Sequence, residues 1–158
     1  DSAQFGMNIS TAGDYDGFIN PLNQKKTKDI LIGGGFFGNS PGKVYMFHGL
    51  PTMPSLLSTS NANLILIGNA IGDRFGEHIL AVDGSNYLAS PGDLNNDGID
   101  EILVGAARSR DAGMGEGGAA YVFISPFFPN GATIQASNAN IQFQPDEFGI
   151  HLGVVMDR

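Results

Sequence analysis

The chain repeats itself, and this internal duplication limits the possible folds more than any other feature of the sequence. Three of the Phe-Gly pairs recur at nearly constant spacing: they lie at residues 5–6, 75–76 and 148–149, which are 70 and 73 residues apart. Three further matches follow in the same order, pairing residues 29–33 with 101–105, 45–47 with 121–123, and 60–64 with 137–141. Because the landmarks recur in one order, they indicate two copies of one structural unit and the opening of a third.

Each repeated segment has the character of a β-strand. The segments are short and rich in β-branched and aromatic residues, and Gly, Asn, Asp or Pro bounds each of them. No long segment shows the period and the caps of a helix. One unit therefore contains about four strands, and four-stranded antiparallel units in tandem are typical of β-propeller blades. A β-solenoid is the second candidate, although its repeats are usually shorter.

The landmarks divide the chain into a first repeat at residues 1–70, a second at 71–144 and the start of a third at 145–158. The predicted fold is all-β, with two propeller blades whose phenylalanines and Ile-Leu-Val runs form the core between them. Propellers typically close with about 4–8 blades. Either the chain is part of a longer propeller or neighbouring copies complete it, because open sheet edges readily pair.

Composition restricts the class of partner. The 16 acidic and 8 basic residues give a formal net charge of −8, which argues against nucleic acid as a ligand. The absence of cysteine excludes disulfides and thiolate metal sites, and no apolar run approaches the ~18 residues of a membrane-spanning helix. No Ser-His-Asp order or paired carboxylates outside the acidic loops point to catalysis, so we expect a protein that is not an enzyme.

One acidic loop has the spacing of a metal site. Residues 93–101 read Asp-Leu-Asn-Asn-Asp-Gly-Ile-Asp-Glu, which places side-chain oxygens at positions 1, 3, 5 and 9. Glycine at position 6 permits a sharp turn, and the residue at position 7 can offer its carbonyl oxygen. An all-oxygen set of this size suits Ca²⁺ better than Mg²⁺ or zinc. The predicted ligands are Asp93, Asn95, Asp97, Ile99 and Glu101. The alternative is an acidic tight turn that binds no ion.

The loop is not an EF-hand, because position 12 is Val104 and no helices flank it. Phe-Gly, then Gly-Asp-Leu-Asn-Asn-Asp-Gly-Ile-Asp-Glu and Ile-Leu-Val-Gly-Ala-Ala, resembles the FG-GAP repeat of integrin α-subunit β-propellers and related bacterial surface proteins. The resemblance implies calcium loops on one rim of a propeller in an extracellular or cell-surface protein. Two residues depart from the family pattern: Ala107 replaces its proline, and Glu101 replaces the commoner aspartate.

The first repeat carries a modified acidic loop. Residues 13–17 read Gly-Asp-Tyr-Asp-Gly, but Asp29, the counterpart of Glu101, lies fifteen residues after Asp14, where the second repeat has eight. Three lysines in the inserted segment, at positions 25, 26 and 28, weaken the case for a bound cation. Sequence alone leaves open whether this loop binds Ca²⁺ through Asp14, Asp16 and Asp29. Asp157 marks the start of an incomplete third loop.

Two classes of function fit these features. In the first, the chain is an extracellular module for adhesion, protein–protein interaction or self-assembly, and its partners are calcium, other copies or further blades, and protein or glycan ligands. In the second, it is a non-catalytic or accessory part of a secreted enzyme, since similar repeats accompany phospholipases and polysaccharide lyases. The first class is favoured, because this stretch offers no catalytic constellation.

Overall fold

The computed structural model describes residues 3–36, 40–76, 88–108, 117–124 and 128–146. In these ranges the regular elements are β-strands and two single-turn 3-10 helices, Thr59–Asn61 and Ala136–Asn138. This confirms the prediction of an all-β fold. No helix in the described ranges is long and apolar enough to cross a membrane. The third Phe-Gly pair and Asp157 lie outside the described residues, and the repeat limits at 70 and 144 stay predictions.

The first sheet is built from the first repeat. Its strands β1 (Ala3–Gly13), β4 (Asp29–Phe36), β5 (Lys43–Phe47) and β6 (Leu64–Ile67) lie side by side in chain order, and each pairs antiparallel with the next. A short hairpin of β2 (Ile19–Asn20) and β3 (Lys25–Lys26) lies in the inserted segment between β1 and β4. This arrangement is the four-stranded antiparallel unit that the sequence predicts.

The second sheet repeats this arrangement. It contains β7 (Leu88–Gly92), β8 (Glu101–Ala106), β9 (Ala119–Phe123) and β11 (Ile141–Phe143), again in chain order and antiparallel throughout. The register is conserved between the sheets, because Val104 faces Tyr121 as Ile32 faces Tyr45. The repeated landmarks of the sequence therefore occupy equivalent positions in the two sheets.

One strand departs from the predicted four-stranded pattern. β10 (Ala132–Gln135) lies between β9 and β11 in the sequence, but it pairs in parallel with β6, with Ala132 opposite Leu64. The first sheet therefore has five strands, and its last strand comes from the second repeat. The free edge of β6 offers unpaired backbone groups, and β10 satisfies them. The counterpart segment of the first repeat, residues 55–58, forms no strand.

The core lies between the two sheets, as expected from the apolar runs. Alternate residues of each strand point into it, and they are almost completely buried: Leu31, Val44, Met46, Leu64 and Leu66 from the first sheet, and Ile102, Val104, Tyr121 and Phe123 from the second. Phe75 of the second Phe-Gly pair packs here, with its ring centroid 5.6 Å from that of Tyr121. Phe5, its counterpart in the first repeat, is 47% exposed and does not belong to this core.

The glycine of the second Phe-Gly pair allows the sheets to approach. The Gly76 amide donates a hydrogen bond to the Gly105 carbonyl oxygen at 2.9 Å. A Cβ atom on Gly76 would lie 2.2 Å from Val44 Cγ2, and one on Gly33 would lie 2.3 Å from the Gly76 carbonyl oxygen. Residues with side chains do not fit at either position, so the two backbones meet through glycine.

Candidate metal centre

Residues 93–100 connect β7 to β8 in a tight loop that folds around its own side-chain oxygens. The Asp97 amide donates to Asp93 Oδ1 at 3.1 Å and to Asn95 Oδ1 at 2.9 Å, and the Gly98 amide donates to Asp93 Oδ2 at 2.8 Å. The left-handed backbone at Asn96 (φ +60°) and Gly98 (φ +90°) reverses the chain direction. The acidic residues at positions 1 and 5 are therefore brought back towards the start of β8.

Three carboxylates converge in this loop. One oxygen atom from each of Asp93, Asp97 and Glu101 lies within 4.8 Å of the other two, and this is the one such group among the described residues. Asn95 Nδ2 donates to Asp97 Oδ2 at 2.9 Å, so the fourth predicted side chain lies in the same cluster. The structure thus brings together the side chains that the spacing singles out. Three neighbouring negative charges repel one another unless a cation neutralises them.

Glu101 gives this cluster a feature that exposed acidic turns lack. Its side chain is completely buried, Oε2 accepts the Leu94 amide at 2.5 Å, and Oε1 has no hydrogen-bond partner in the part of the chain that the structure describes. Burial raises the pKa of Glu101, and the charges of Asp97 and Asp93 raise it further, whereas the Leu94 hydrogen bond lowers it. A buried carboxylate oxygen without a partner is costly, and a bound cation would remove that cost. The donor set therefore fits Ca²⁺.

Comparison with known families agrees with this geometry. Residues 85–123, which include β7, the acidic loop, β8 and β9, match the sequence profile of the FG-GAP repeat. The chain contains an FG-GAP repeat. No curated protein shows a significant match to the chain. FG-GAP repeats typically bind calcium, occur in extracellular or surface proteins, and generally mediate protein–protein or adhesion interactions.

The acidic loop of the FG-GAP repeat packs directly against the acidic loop of the first repeat. The Asp14 amide donates to Asp100 Oδ2 at 2.9 Å, and the Asp100 amide donates to the Asp14 carbonyl oxygen at 3.0 Å. A Cβ atom on Gly13 would lie 2.1 Å from Asp100 Oδ2, so glycine is needed at this contact. The sequence pattern predicts no role for Asp100, because a contact between two repeats does not affect the spacing of ligands within either repeat.

The acidic side chains of the first loop contact basic side chains, unlike those described for the FG-GAP loop. Lys26 Nζ lies 3.0 Å from Asp14 Oδ2 and also donates to the Gly98 carbonyl oxygen. His48 Nδ1 lies 3.2 Å from Asp16 Oδ2. Among the described residues, Asp14, Asp16 and Asp29 do not form a group like that of the second loop. Calcium binding by these three residues stays a prediction, and Lys26 places a positive charge beside Asp14 without any metal.

The carboxylate of Asp29 has a hydrogen bond that its counterpart in the FG-GAP loop, Glu101, lacks within the described ranges. Its Oδ2 accepts the Tyr15 amide at 2.8 Å, which matches the bond from Leu94 to Glu101, and its Oδ1 accepts the Gly49 amide at 2.7 Å. Burial raises the pKa of Asp29, and these two hydrogen bonds act in the opposite direction. Both oxygens of the first-repeat carboxylate are thus bonded to the backbone, whereas its FG-GAP counterpart has one oxygen left to bind an ion.

Proposed function

We propose that the chain is a calcium-stabilised, non-catalytic module of β-propeller type that mediates protein–protein contacts outside the cell. The observation that carries the proposal is the buried, unpartnered oxygen of Glu101 beside the carboxylates of Asp93 and Asp97. This arrangement lies within an FG-GAP repeat, a family that generally mediates such contacts. In the described ranges no observation favours the alternative of an accessory segment of a secreted enzyme.

Calcium would act as a structural clamp in this module. Asp93, Asn95, Asp97, Glu101 and the Ile99 carbonyl would hold the ion, which would neutralise the carboxylates and fix the loop to the first residue of β8. The loop in turn contacts the first repeat through Asp100 and Asp14. Stabilising the loop therefore stabilises the contact between the two repeats on this side of the molecule.

The expected size of this effect suits an extracellular setting. Calcium sites of extracellular modules commonly have Kd values of ~10⁻⁴–10⁻³ M, so they fill outside the cell and empty in the cytosol. With ~1 mM Ca²⁺ and a Kd of ~10⁻⁴ M, binding to the folded state adds about 1.4 kcal/mol to the free energy of unfolding. One site of this strength shifts the melting temperature measurably.

The test is calcium titration by calorimetry together with thermal unfolding in Ca²⁺ and in chelator. We expect one principal site and a higher Tm in calcium, and both effects should be lost in Glu101→Gln. The matched control is Asp146→Asn, which changes an exposed acid outside both loops and should keep the wild-type response. A wild-type chain whose Tm is the same with calcium and with chelator would contradict the proposal.

A further inference from the structure

The inserted segment of the first repeat brings a lysine to the acidic loop. The first and last acids of this loop are fifteen residues apart, instead of eight in the second repeat, and the β2–β3 hairpin lies between them. In the hairpin Lys26 lies opposite Ile19, and the Thr27 amide donates to the Phe18 carbonyl oxygen at 3.2 Å. The chain therefore returns to the start of the loop, where Lys26 Nζ lies 3.0 Å from Asp14 Oδ2.

The other acids of this loop already have partners. Asp29 accepts backbone amides at both of its oxygens. Asp16 Oδ1 accepts the Phe18 amide at 2.8 Å, and Asp16 Oδ2 lies 3.2 Å from His48 Nδ1. At position 5, where the FG-GAP loop has Asp97, the first loop has Phe18. Since the acids of the first loop also do not converge among the described residues, they do not fit a calcium ion.

Asp14 is the acid whose charge needs a cation. Its side chain is 4% exposed, and its Oδ1 has no hydrogen-bond partner in the described ranges. A buried carboxylate is costly unless a cation or hydrogen-bond donors compensate its charge. The Lys26 ammonium pairs with Asp14 and also donates to the Gly98 carbonyl oxygen of the second loop. It thus contacts one carboxylate oxygen and one backbone carbonyl oxygen, which are the types of ligand that Ca²⁺ takes.

We propose that the first acidic loop is not a calcium site and that the Lys26 ammonium takes the place of the ion there. The second loop needs a cation from solution, whereas the first loop carries its cation on its own hairpin. Because the ammonium is part of the chain, it compensates Asp14 and contacts Gly98 whether or not calcium is available. This inference goes beyond the proposed function, which concerns the ion site of the second loop.

The first experiment counts bound calcium ions by equilibrium dialysis with radioactive calcium in the millimolar range. The wild-type chain should bind one ion and Glu101→Gln none. Asp16→Asn, which changes an acid of the first loop, is the matched variant and should still bind one ion. Two ions per wild-type chain would overturn the inference. So would an ion that remains in Glu101→Gln and is lost when Asp16→Asn is added.

The second experiment is a double-mutant cycle between Lys26 and Asp14, measured as Tm in chelator. Lys26→Met keeps the apolar stem of the side chain and removes its charge. It should therefore lower the Tm of wild type by more than it lowers the Tm of Asp14→Asn, because the two residues share one interaction. Lys25→Met, on the same strand, is the matched control and should leave both Tm values unchanged. Equal effects of Lys26→Met in the two backgrounds would overturn the inference.

If Asp14→Asn does not fold, nuclear magnetic resonance of the lysine ammonium groups takes the place of the cycle. Ammonium protons that two oxygens hold exchange slowly with water, so the Lys26 signal should be visible in chelator, and its absence from Lys26→Met assigns it. The signal should remain when calcium is added. Its loss in calcium would mean that the ion displaces the ammonium, which overturns the inference and leaves the calcium site of the second loop standing.

Discussion

At the scale of single residues, the two repeats differ by one methylene group at one buried acidic position. Asp29 and Glu101 occupy equivalent places, and each accepts a hydrogen bond from the residue after the first loop aspartate. The second oxygen of Asp29 accepts the Gly49 amide, while the second oxygen of Glu101 has no partner in the described ranges. The same position is thus a backbone-bonded acid in one repeat and a candidate ligand in the other.

The effect of Glu101→Gln on the free energy of unfolding should therefore depend on whether calcium is present. In chelator the neutral amide removes a buried, repelled charge. The free energy of unfolding of the variant should therefore equal or exceed that of wild type. In millimolar Ca²⁺ it should be less stable by about 1.4 kcal/mol, because the linked binding energy is lost. Urea unfolding in both buffers measures this. Lower stability of the variant by the same amount in both buffers would indicate a role without calcium.

The raised pKa of Glu101 predicts a pH dependence in chelator. The folded state keeps this proton at pH values where the unfolded state has lost it, starting near the ordinary value of 4.5. Stability should therefore fall as pH rises from that value through the raised pKa of the folded state, and then become level. The part of the slope of stability against pH that is lost in Glu101→Gln is the contribution of this residue. Equal slopes in the two proteins would exclude it as the cause.

At the scale of elements, the β2–β3 hairpin of the first repeat reaches the acidic loop of the second. Lys26 on β3 contacts both Asp14 and the Gly98 carbonyl oxygen. Its pKa is raised, chiefly by the hydrogen bond to Asp14 and then by nearby acids that include Asp100 and Asp93. A charge that belongs to one loop therefore acts on the ion site of the other.

Lys26→Met should separate these two effects. Without the ammonium, the buried Asp14 carboxylate loses its ion pair with Lys26, so the Tm in chelator should fall. Calcium should bind the second loop several-fold more tightly, because a like charge near Asp93 is gone. Lys25→Met, on the same short strand, serves as the control and should change neither value. Calorimetry and thermal unfolding decide the outcome, and unchanged calcium affinity in Lys26→Met would refute the coupling.

Local patterns in the sequence predict the elements within a repeat and miss those that link repeats. The strands, their order and the acidic cluster follow from short apolar runs and from ligand spacing, and the structure contains them. These patterns do not predict β10, because its partner is the free edge of β6, which lies far away in the sequence. Nor do they predict the roles of Asp100 and Lys26, because each of these residues contacts the loop of the other repeat.

At the scale of the whole molecule, the two sheets are held together by close backbone packing as well as by apolar side chains. Gly33→Ala would place a Cβ atom 2.3 Å from the Gly76 carbonyl oxygen, a backbone atom that cannot move aside. The sheets should separate locally, at a cost of about 1–3 kcal/mol in the free energy of unfolding. Chemical denaturation measures the difference.

The neighbouring residue provides the control for this change. In Gly34→Ala the new Cβ atom would lie 3.3 Å from a ring atom of Tyr45, on the side away from the core. That side chain can shift, so the variant should lose less stability than Gly33→Ala. Equal losses in the two variants would show that β4 needs glycine for a reason other than the approach of the sheets.

The parallel pairing of β10 with β6 has a consequence for how such a protein can be rearranged. The first sheet gains its outermost strand from residues 132–135, which belong to the second repeat by sequence. Cutting the gene between the two repeats would therefore remove a strand from the first sheet as well as separate the sheets. Recombination that shuffles single repeats would disrupt this sheet, whereas transfer of the pair would preserve it. Within this chain, the pair of repeats is therefore the smallest unit that contains every strand of the first sheet.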